Sequence, residues 1–244
     1  MSGVTQSFIG ELGYTSCAPE RLGETRGRES FRIDLHHDGS KVITAHCEID
    51  DPPPVVRDVS LRLDPQGRPA DSFVRIAVGG SFRGSAWFNF SATQAECEAN
   101  TTIEGRVSQR MAVECGVPAF GNHAIINDGA LLSQFDLSKG PGTQLVKSML
   151  LSSPDHRGAT GPMLFPVDLA ILYHGKETLE VKAGQFEAHK FSFTDVPGML
   201  VEHPNYDIWC TTDGHYVFLK AEVGGYMQTR YELTRLDHVK HGPA

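Results

Sequence analysis

The chain has 244 residues, of which 30 are acidic and 22 basic, and it carries a formal net charge of -8 at pH 7. This acidic balance disfavours phosphate backbones, so we expect no nucleic-acid partner. The length suffices to bury a core without disulfides or metal ions. No apolar run approaches the roughly 20 residues that span a bilayer, and the first ten residues lack a signal-peptide pattern. We therefore expect no membrane span and a cytoplasmic location.

The cysteines are five in number, widely scattered, and include no C-x-x-C pair. An odd and scattered set is atypical of a disulfide framework or a zinc site. We predict reduced thiols, most of them buried as packing residues. The five are Cys17, Cys47, Cys97, Cys115 and Cys210.

Short apolar runs separated by glycine and proline predict antiparallel strands in the first half of the chain. Asp38-Gly39 joins the first predicted pair, because it can adopt the positive φ angles of a tight hairpin. Strands are predicted at residues 31–35, 42–48, 56–63, 73–78 and 81–90, with a further pair within 93–111.

The middle of the chain lacks this rhythm. Residues 120–137 and 143–151, separated by Gly140-Pro141-Gly142, are better explained by short helices or a lid-like insertion. Strands are then predicted at residues 167–173, 177–182, 186–194, 206–211, 215–223 and 226–236. This order predicts a first β-rich half (1–115), a helical or loop connector (116–165) and a second β-rich half (166–244) around one shared core.

An internal similarity connects the two halves. Residues 74–82 resemble residues 219–227, and both copies contain a basic residue in the first strand followed by Val-Gly-Gly. The similarity suggests an internal duplication in which Val78-Gly79-Gly80 and Val223-Gly224-Gly225 are equivalent corners. The alternative is a chance likeness between two β-hairpins.

The last quarter of the chain contains a Gly-x-Phe strand within residues 181–191, followed by Ile208-Trp209 and Asp213-Gly214. This order resembles an uncharacterised group of bacterial β-rich proteins with a lipocalin-like or lipoprotein-carrier-like half barrel. The resemblance implies an open barrel. It carries no catalytic signature, so it implies nothing about chemistry.

Several common chemistries have no motif here. There is no G-x-S-x-G nucleophile turn, no H-E-x-x-H zinc motif, and no glycine-rich phosphate loop followed by a helix. The eleven histidines are expected to be mostly solvated or hydrogen-bonded. We predict no cofactor and no metal.

Acid–base chemistry remains, and two segments carry its candidates. His123 and Asp128 lie among small and apolar residues at the head of the predicted insertion, where partial desolvation would hold a histidine near neutral pKa as a general base. His203, Tyr206 and Asp207 lie on a proline-bounded loop at the start of a predicted strand. The alternative is that the first segment is a turn without function and the second a polar loop.

Candidate ligand-binding residues come from strand parity. Arg75 and Lys220 occupy matching places in the two repeats, on the face opposite the apolar side chains. They would anchor a carboxylate or phenolate if that face lines a cavity, or be solubilising charges if it faces water. Trp87, Trp209 and Tyr231 complete the predicted ligand-binding set.

The combined prediction is a mainly β fold: an antiparallel open barrel or two packed half-barrels, with a short helical insertion covering one end. The predicted function is a cofactor-independent lyase, isomerase or hydratase that acts on a hydrophobic oxygenated small molecule by histidine-mediated acid–base catalysis. The alternative is a carrier or sensor that binds such a molecule, or a lipid, without transforming it. The prediction leaves a homodimer open.

Overall fold

The computed structural model describes residues 3–242 and shows one large sheet of fifteen strands. The first eight strands are β1 (Val4–Ser16), β2 (Thr25–His36), β3 (Lys41–Ile49), β4 (Val55–Leu63), β5 (Pro69–Val78), β6 (Ser81–Phe90), β7 (Gln94–Thr101) and β8 (Gly105–Ala112). The others are β9 (Phe120–Gly121), β10 (Gly142–Leu151), β11 (Phe165–Val181), β12 (Gly184–Asp195), β13 (Tyr206–Thr211), β14 (Phe218–Val223) and β15 (Thr229–Lys240).

Within the described residues the single α-helix is α1 (Ile125–Leu132), and two short 3-10 turns cover Pro19–Arg21 and Leu137–Lys139. No helix in that range has the length and apolar content needed to cross a membrane.

Strand order follows the chain on both sides of β1. This strand pairs with β2 on one side and with β15 on the other, so the sheet runs from β8 through β1 and then from β15 to β9. Neighbours are antiparallel except for β9, which runs parallel to β10. Strands β8 and β9 are the edges, and the sheet is not closed within residues 3–242. The predicted mainly β, open architecture with a short helical insertion is confirmed.

Alternating side chains explain why these segments form strands. In β4, Val55, Arg57, Val59, Leu61 and Leu63 are buried, whereas the residues between them are partly or fully exposed. The inward side chains of the sheet and of α1 form one apolar core. Burial of this face favours a curled sheet wrapped around the helix.

The two ends of the open sheet come together over this core. The amide oxygen of Gln109 on β8 accepts a hydrogen bond from the Leu164 N–H (2.7 Å), and its Nε2 donates to the Leu164 carbonyl (3.2 Å). Phe88 and Phe90 of β6 each pack on Phe120 of β9 with ring centroids 4.9 Å apart. The Gln109 side chain thus ties the edge strand β8 to the segment directly before β11.

The prediction for the middle of the chain was only partly right. Helix α1 confirms the helical insertion, but residues 143–151 form β10 and not a helix or lid. The strand contains a bulge between Val146 and Met149, with Ser148 at a φ of 58°. The bulge breaks the alternation of apolar residues, which is why the pattern did not indicate a strand.

The first strand was not predicted either. Its inward positions include Gly10 and Ser16, and Ile9 lies on the opposite face, so the strand shows little apolar alternation. Gly10 lies against Phe31 of β2, where a Cβ atom would be 2.5 Å from the ring. The apolar group that fills this part of the core is therefore supplied by the neighbouring strand.

The two Val-Gly-Gly segments both connect neighbouring strands, but through different turns. Gly79 and Gly80 form a two-residue hairpin with positive φ, since Val78 pairs directly with Ser81. Val223 pairs with Thr229, so the second connection spans residues 224–228. The internal duplication stays a prediction.

Most of the cysteines are buried, as predicted. Cys47, Cys97 and Cys210 lie in the core, Cys17 is half-buried and Cys115 is exposed.

Candidate functional site

Helix α1 begins against a buried carboxylate from β2. The residue before the helix is Ala124, whose side chain cannot cap it. Glu29, only 1% exposed, accepts hydrogen bonds from the backbone N–H groups of Ile125 and Ile126, both at 2.9 Å. The Tyr14 hydroxyl also donates to this carboxylate, at 2.7 Å. The Glu29 side chain thus takes the place of an N-cap side chain. Its carboxylate holds the N-terminal end of the helix, where the helix dipole is positive, against the sheet.

The segment before the helix is held by a buried cation from β4. Arg57 is 2% exposed, and its two terminal nitrogens donate to the carbonyl oxygens of His123 and Arg157. These contacts join the strand to the loops on either side of a cavity, so Arg57 positions both.

His123 has left-handed backbone geometry, with a φ of 63°, and its Nδ1 lies 3.2 Å from the Ser152 hydroxyl. Gly158 packs against it so closely that a Cβ atom there would lie 2.7 Å from the His123 Cβ. Burial, with a smaller contribution from Arg57, lowers the pKa of His123 well below its usual value, although the charge of Asp155 opposes the shift. Burial therefore favours the neutral form of this imidazole and makes it a weaker base than a solvated histidine.

A carboxyl–phenol pair joins α1 to β13. The Tyr206 hydroxyl donates to Oδ2 of Asp128 at 2.9 Å. Burial raises the pKa of Asp128 to about 7, although the hydrogen bond from Tyr206 opposes the shift. Burial also raises the pKa of Tyr206 well above its usual value, so the phenol remains a donor. Asp128 can therefore hold or release a proton near neutral pH.

These groups surround a cavity of about 120 Å³. Most of its lining is apolar, from Ile125, Leu131, Met149, Leu151, Leu169, Phe193, Val196, Met199 and Met227. Five of the predicted site residues line it: His123, Asp128, His203, Tyr206 and Tyr231. Within residues 3–242 no group of three or more His, Cys, Asp or Glu side chains could hold a metal ion.

Three of the other predicted site residues lie on the outer face of the sheet. Asp207 points away from its neighbour Tyr206 and accepts a hydrogen bond from Ser192 at 2.5 Å. Arg75 pairs with Asp58 at 3.2 Å, and Trp87 is 46% exposed. Successive residues of a strand face opposite sides, so none of the three reaches the cavity.

Trp209 and Lys220 also belong to the outer face. The Trp209 indole donates to Glu177 at 2.7 Å, and the Lys220 ammonium lies 5.0 Å from the centre of its ring. Arg75 and Lys220 therefore do not reach the cavity, and of the two alternatives for them the structure has the one in which their polar face is the outer one.

A second cavity of about 140 Å³ adjoins the first, and sequence reasoning missed it. The two share five lining residues, His123, Ile125, His156, Met227 and Tyr231. Arg26, Arg57, Arg157 and Asp51 supply the charges of the second cavity. The sequence contained one signal for this cavity. Arg57 lies two residues from both Val55 and Val59, so its side chain is on the inward face of β4.

Comparison with known proteins shows likeness of fold alone. No protein-family model matches the chain, and no curated protein matches it significantly. A β-barrel-like protein of the domain of unknown function DUF1849 from Brucella abortus has a TM-score of 0.57 and 10% identity, covering 96% of this chain and 97% of that chain. A protein with a YmcC-like fold from Bacteroides fragilis has a TM-score of 0.35 and 10% identity, covering 97% and 96%. The resemblance to uncharacterised bacterial β-rich proteins is thus confirmed as a likeness of fold.

Proposed function

We propose that the protein binds a small, mainly apolar molecule that carries a polar group in the 120 Å³ cavity between α1 and the sheet. The observation that carries this proposal is an apolar lining interrupted by the Asp128–Tyr206 pair. A dry apolar cavity of about 150 Å³ binds benzene, which limits the enclosed part of the ligand to about six carbon atoms.

The polar group of the ligand would bind at Asp128. Tyr206 occupies one carboxyl oxygen, whereas Oδ1 has no hydrogen-bond partner within the described residues. A ligand hydroxyl could donate to this oxygen, and a ligand carbonyl could accept from the protonated carboxyl group. A polar atom buried without such a partner would cost binding free energy, so the pair selects an oxygenated ligand over a pure hydrocarbon.

Isothermal titration with 1-hexanol tests this function, because the probe combines a six-carbon chain with one hydroxyl. We expect saturable binding to the native protein and weaker binding to Met199→Phe, which narrows the cavity. The matched control is Met111→Phe, a half-buried methionine of β8 outside the cavity. No binding of 1-hexanol, or equal loss in both variants, would contradict the proposal.

A second candidate is acid–base catalysis by Asp128 on such a ligand, as in a cofactor-independent lyase, isomerase or hydratase. It is favoured by the pKa of Asp128, raised to about 7 by burial, beside a cavity also lined by His123, His156 and His203. A carboxyl group with this pKa suits proton transfer at neutral pH better than His123 does. Hydrogen–deuterium exchange at carbon in a ketone probe would detect such catalysis.

A further inference from the structure

The second cavity has an excess of positive charge. Its lining includes the guanidinium groups of Arg26, Arg57 and Arg157 but a single carboxylate, Asp51. That carboxylate is already engaged, since Arg26 and Arg21 both form ion pairs with it.

Arg57 is the most deeply buried of these cations. Its terminal nitrogens donate to two carbonyl oxygens, and its buried Nε has no hydrogen-bond partner. Within residues 3–242 no carboxylate oxygen lies within 4.0 Å of its nitrogens. The buried carboxylate of Glu29 is taken up by Tyr14 and the start of α1. A guanidinium buried without a paired anion is costly unless a ligand supplies the charge.

Arg157, which also lines the second cavity, is likewise held by two backbone carbonyl groups. Its Nη2 donates to the carbonyl oxygens of Asp51 (2.9 Å) and Pro53 (2.8 Å), and it too forms no ion pair within the described residues. Backbone carbonyls therefore hold both side chains in place, and within the described residues neither guanidinium forms an ion pair. Guanidinium groups fixed in this way suit the planar, bidentate binding of a carboxylate or phosphate.

We propose that the second cavity binds the anionic group, a carboxylate or phosphate, of a ligand whose apolar part occupies the first cavity. The two cavities adjoin each other, because five side chains line both of them. The inference rests on the proposed function for the apolar part, and it narrows the ligand class to small anionic amphiphiles.

Titration of hexanoate beside 1-hexanol at neutral pH separates the two claims, because the probes differ in charge at one end. We expect hexanoate to bind about tenfold or more tightly than 1-hexanol, since hydrogen bonds to a charged group are stronger than those between neutral groups. Arg157→Gln should remove most of this advantage and leave 1-hexanol binding nearly unchanged. Arg57→Gln should also remove the advantage, but it releases the carbonyl groups of His123 and Arg157 and should therefore weaken the binding of both probes. Arg75→Gln, on the outer face, is the matched control and should behave as the native protein does.

Circular dichroism verifies the fold of each variant, and Arg157→Gln remains informative if the buried Arg57→Gln fails to fold. Equal affinity for the two probes, or a hexanoate advantage that survives Arg157→Gln, would overturn the anion site while the apolar cavity stands. Inorganic phosphate is a third probe. If phosphate binds in an Arg157-dependent manner and neither six-carbon probe binds, the anion site is supported as a site for a free anion and the proposed function fails.

Discussion

Burial changes the acid–base chemistry of Asp128 directly. Desolvation raises the pKa of its carboxyl group to about 7, and the nearby charge of Glu29 acts in the same direction. The hydrogen bond from Tyr206 and the charge of Arg57 oppose the shift. Near neutral pH both the protonated and the ionised forms are therefore populated, which is the condition for a general acid or base.

If Asp128 accepts a proton from a bound ligand, deuterium exchange at the carbons beside the carbonyl of hexan-2-one should be accelerated by the protein. The rate should rise with pH through about 7 and then level off, because the ionised form of Asp128 is the base. Asp128→Asn should lower the protein-dependent rate by about 10²- to 10⁴-fold. Proton nuclear magnetic resonance in deuterium oxide measures the exchange.

The matched control for this experiment is Asp207→Asn, an aspartate of β13 on the outer face that should leave the rate unchanged. An Asp128→Asn variant that exchanges as fast as the native protein would remove catalysis by Asp128 and leave binding as the function.

Helix α1 owes its stability to the sheet around it. A helix of eight residues is too short to persist alone in water. Glu29 caps its first turn, and Gly129 brings its backbone against the carbonyl oxygen of Tyr216. The position of the cavity depends on this close packing, since Asp128 precedes Gly129 directly.

Gly129→Ala should lower the free energy of unfolding, because overpacking usually costs about 1–3 kcal/mol. The added Cβ would lie 2.3 Å from the Tyr216 oxygen, a backbone atom that cannot rotate away. The higher helix propensity of alanine, about 1 kcal/mol, offsets part of the overpacking cost, and the contact with a fixed backbone atom places that cost in the upper part of its range, so a net loss of about 1–2 kcal/mol is expected. Urea unfolding followed by circular dichroism measures the difference.

Gly224→Ala provides the comparison for this variant, because a Cβ there meets nothing within 4 Å and the φ angle is not in the left-handed region. Its effect should stay within about 0.5 kcal/mol. A more stable Gly129→Ala protein would show that the helix can move away from the sheet.

At the scale of the whole molecule, strand parity predicted the fold well and the site incompletely. Alternation identified most strands, and the His123 and Tyr206 segments do meet at one cavity. Alternation could not indicate which face of the sheet is concave, so it left open whether Arg75 and Lys220 face a cavity or water. Which face becomes concave depends on how distant strands pair. An example is the pairing of β1 with β15, in which Gln6 lies opposite Lys240.

The curled shape also depends on the bridge between the ends of the sheet. Gln109→Ala removes both hydrogen bonds to Leu164, at 2.7 and 3.2 Å, and leaves its backbone groups without these partners. Local stability should fall by about 1–3 kcal/mol, so the amide of Leu164 should exchange with deuterium roughly 5- to 150-fold faster. Hydrogen exchange followed by mass spectrometry measures this change.

The control is Ser108→Ala on the same strand, whose hydroxyl contacts Glu98, and it should leave Leu164 protected. Unchanged protection in Gln109→Ala would show that the packing of Phe88 and Phe90 on Phe120 is sufficient to hold the two ends together.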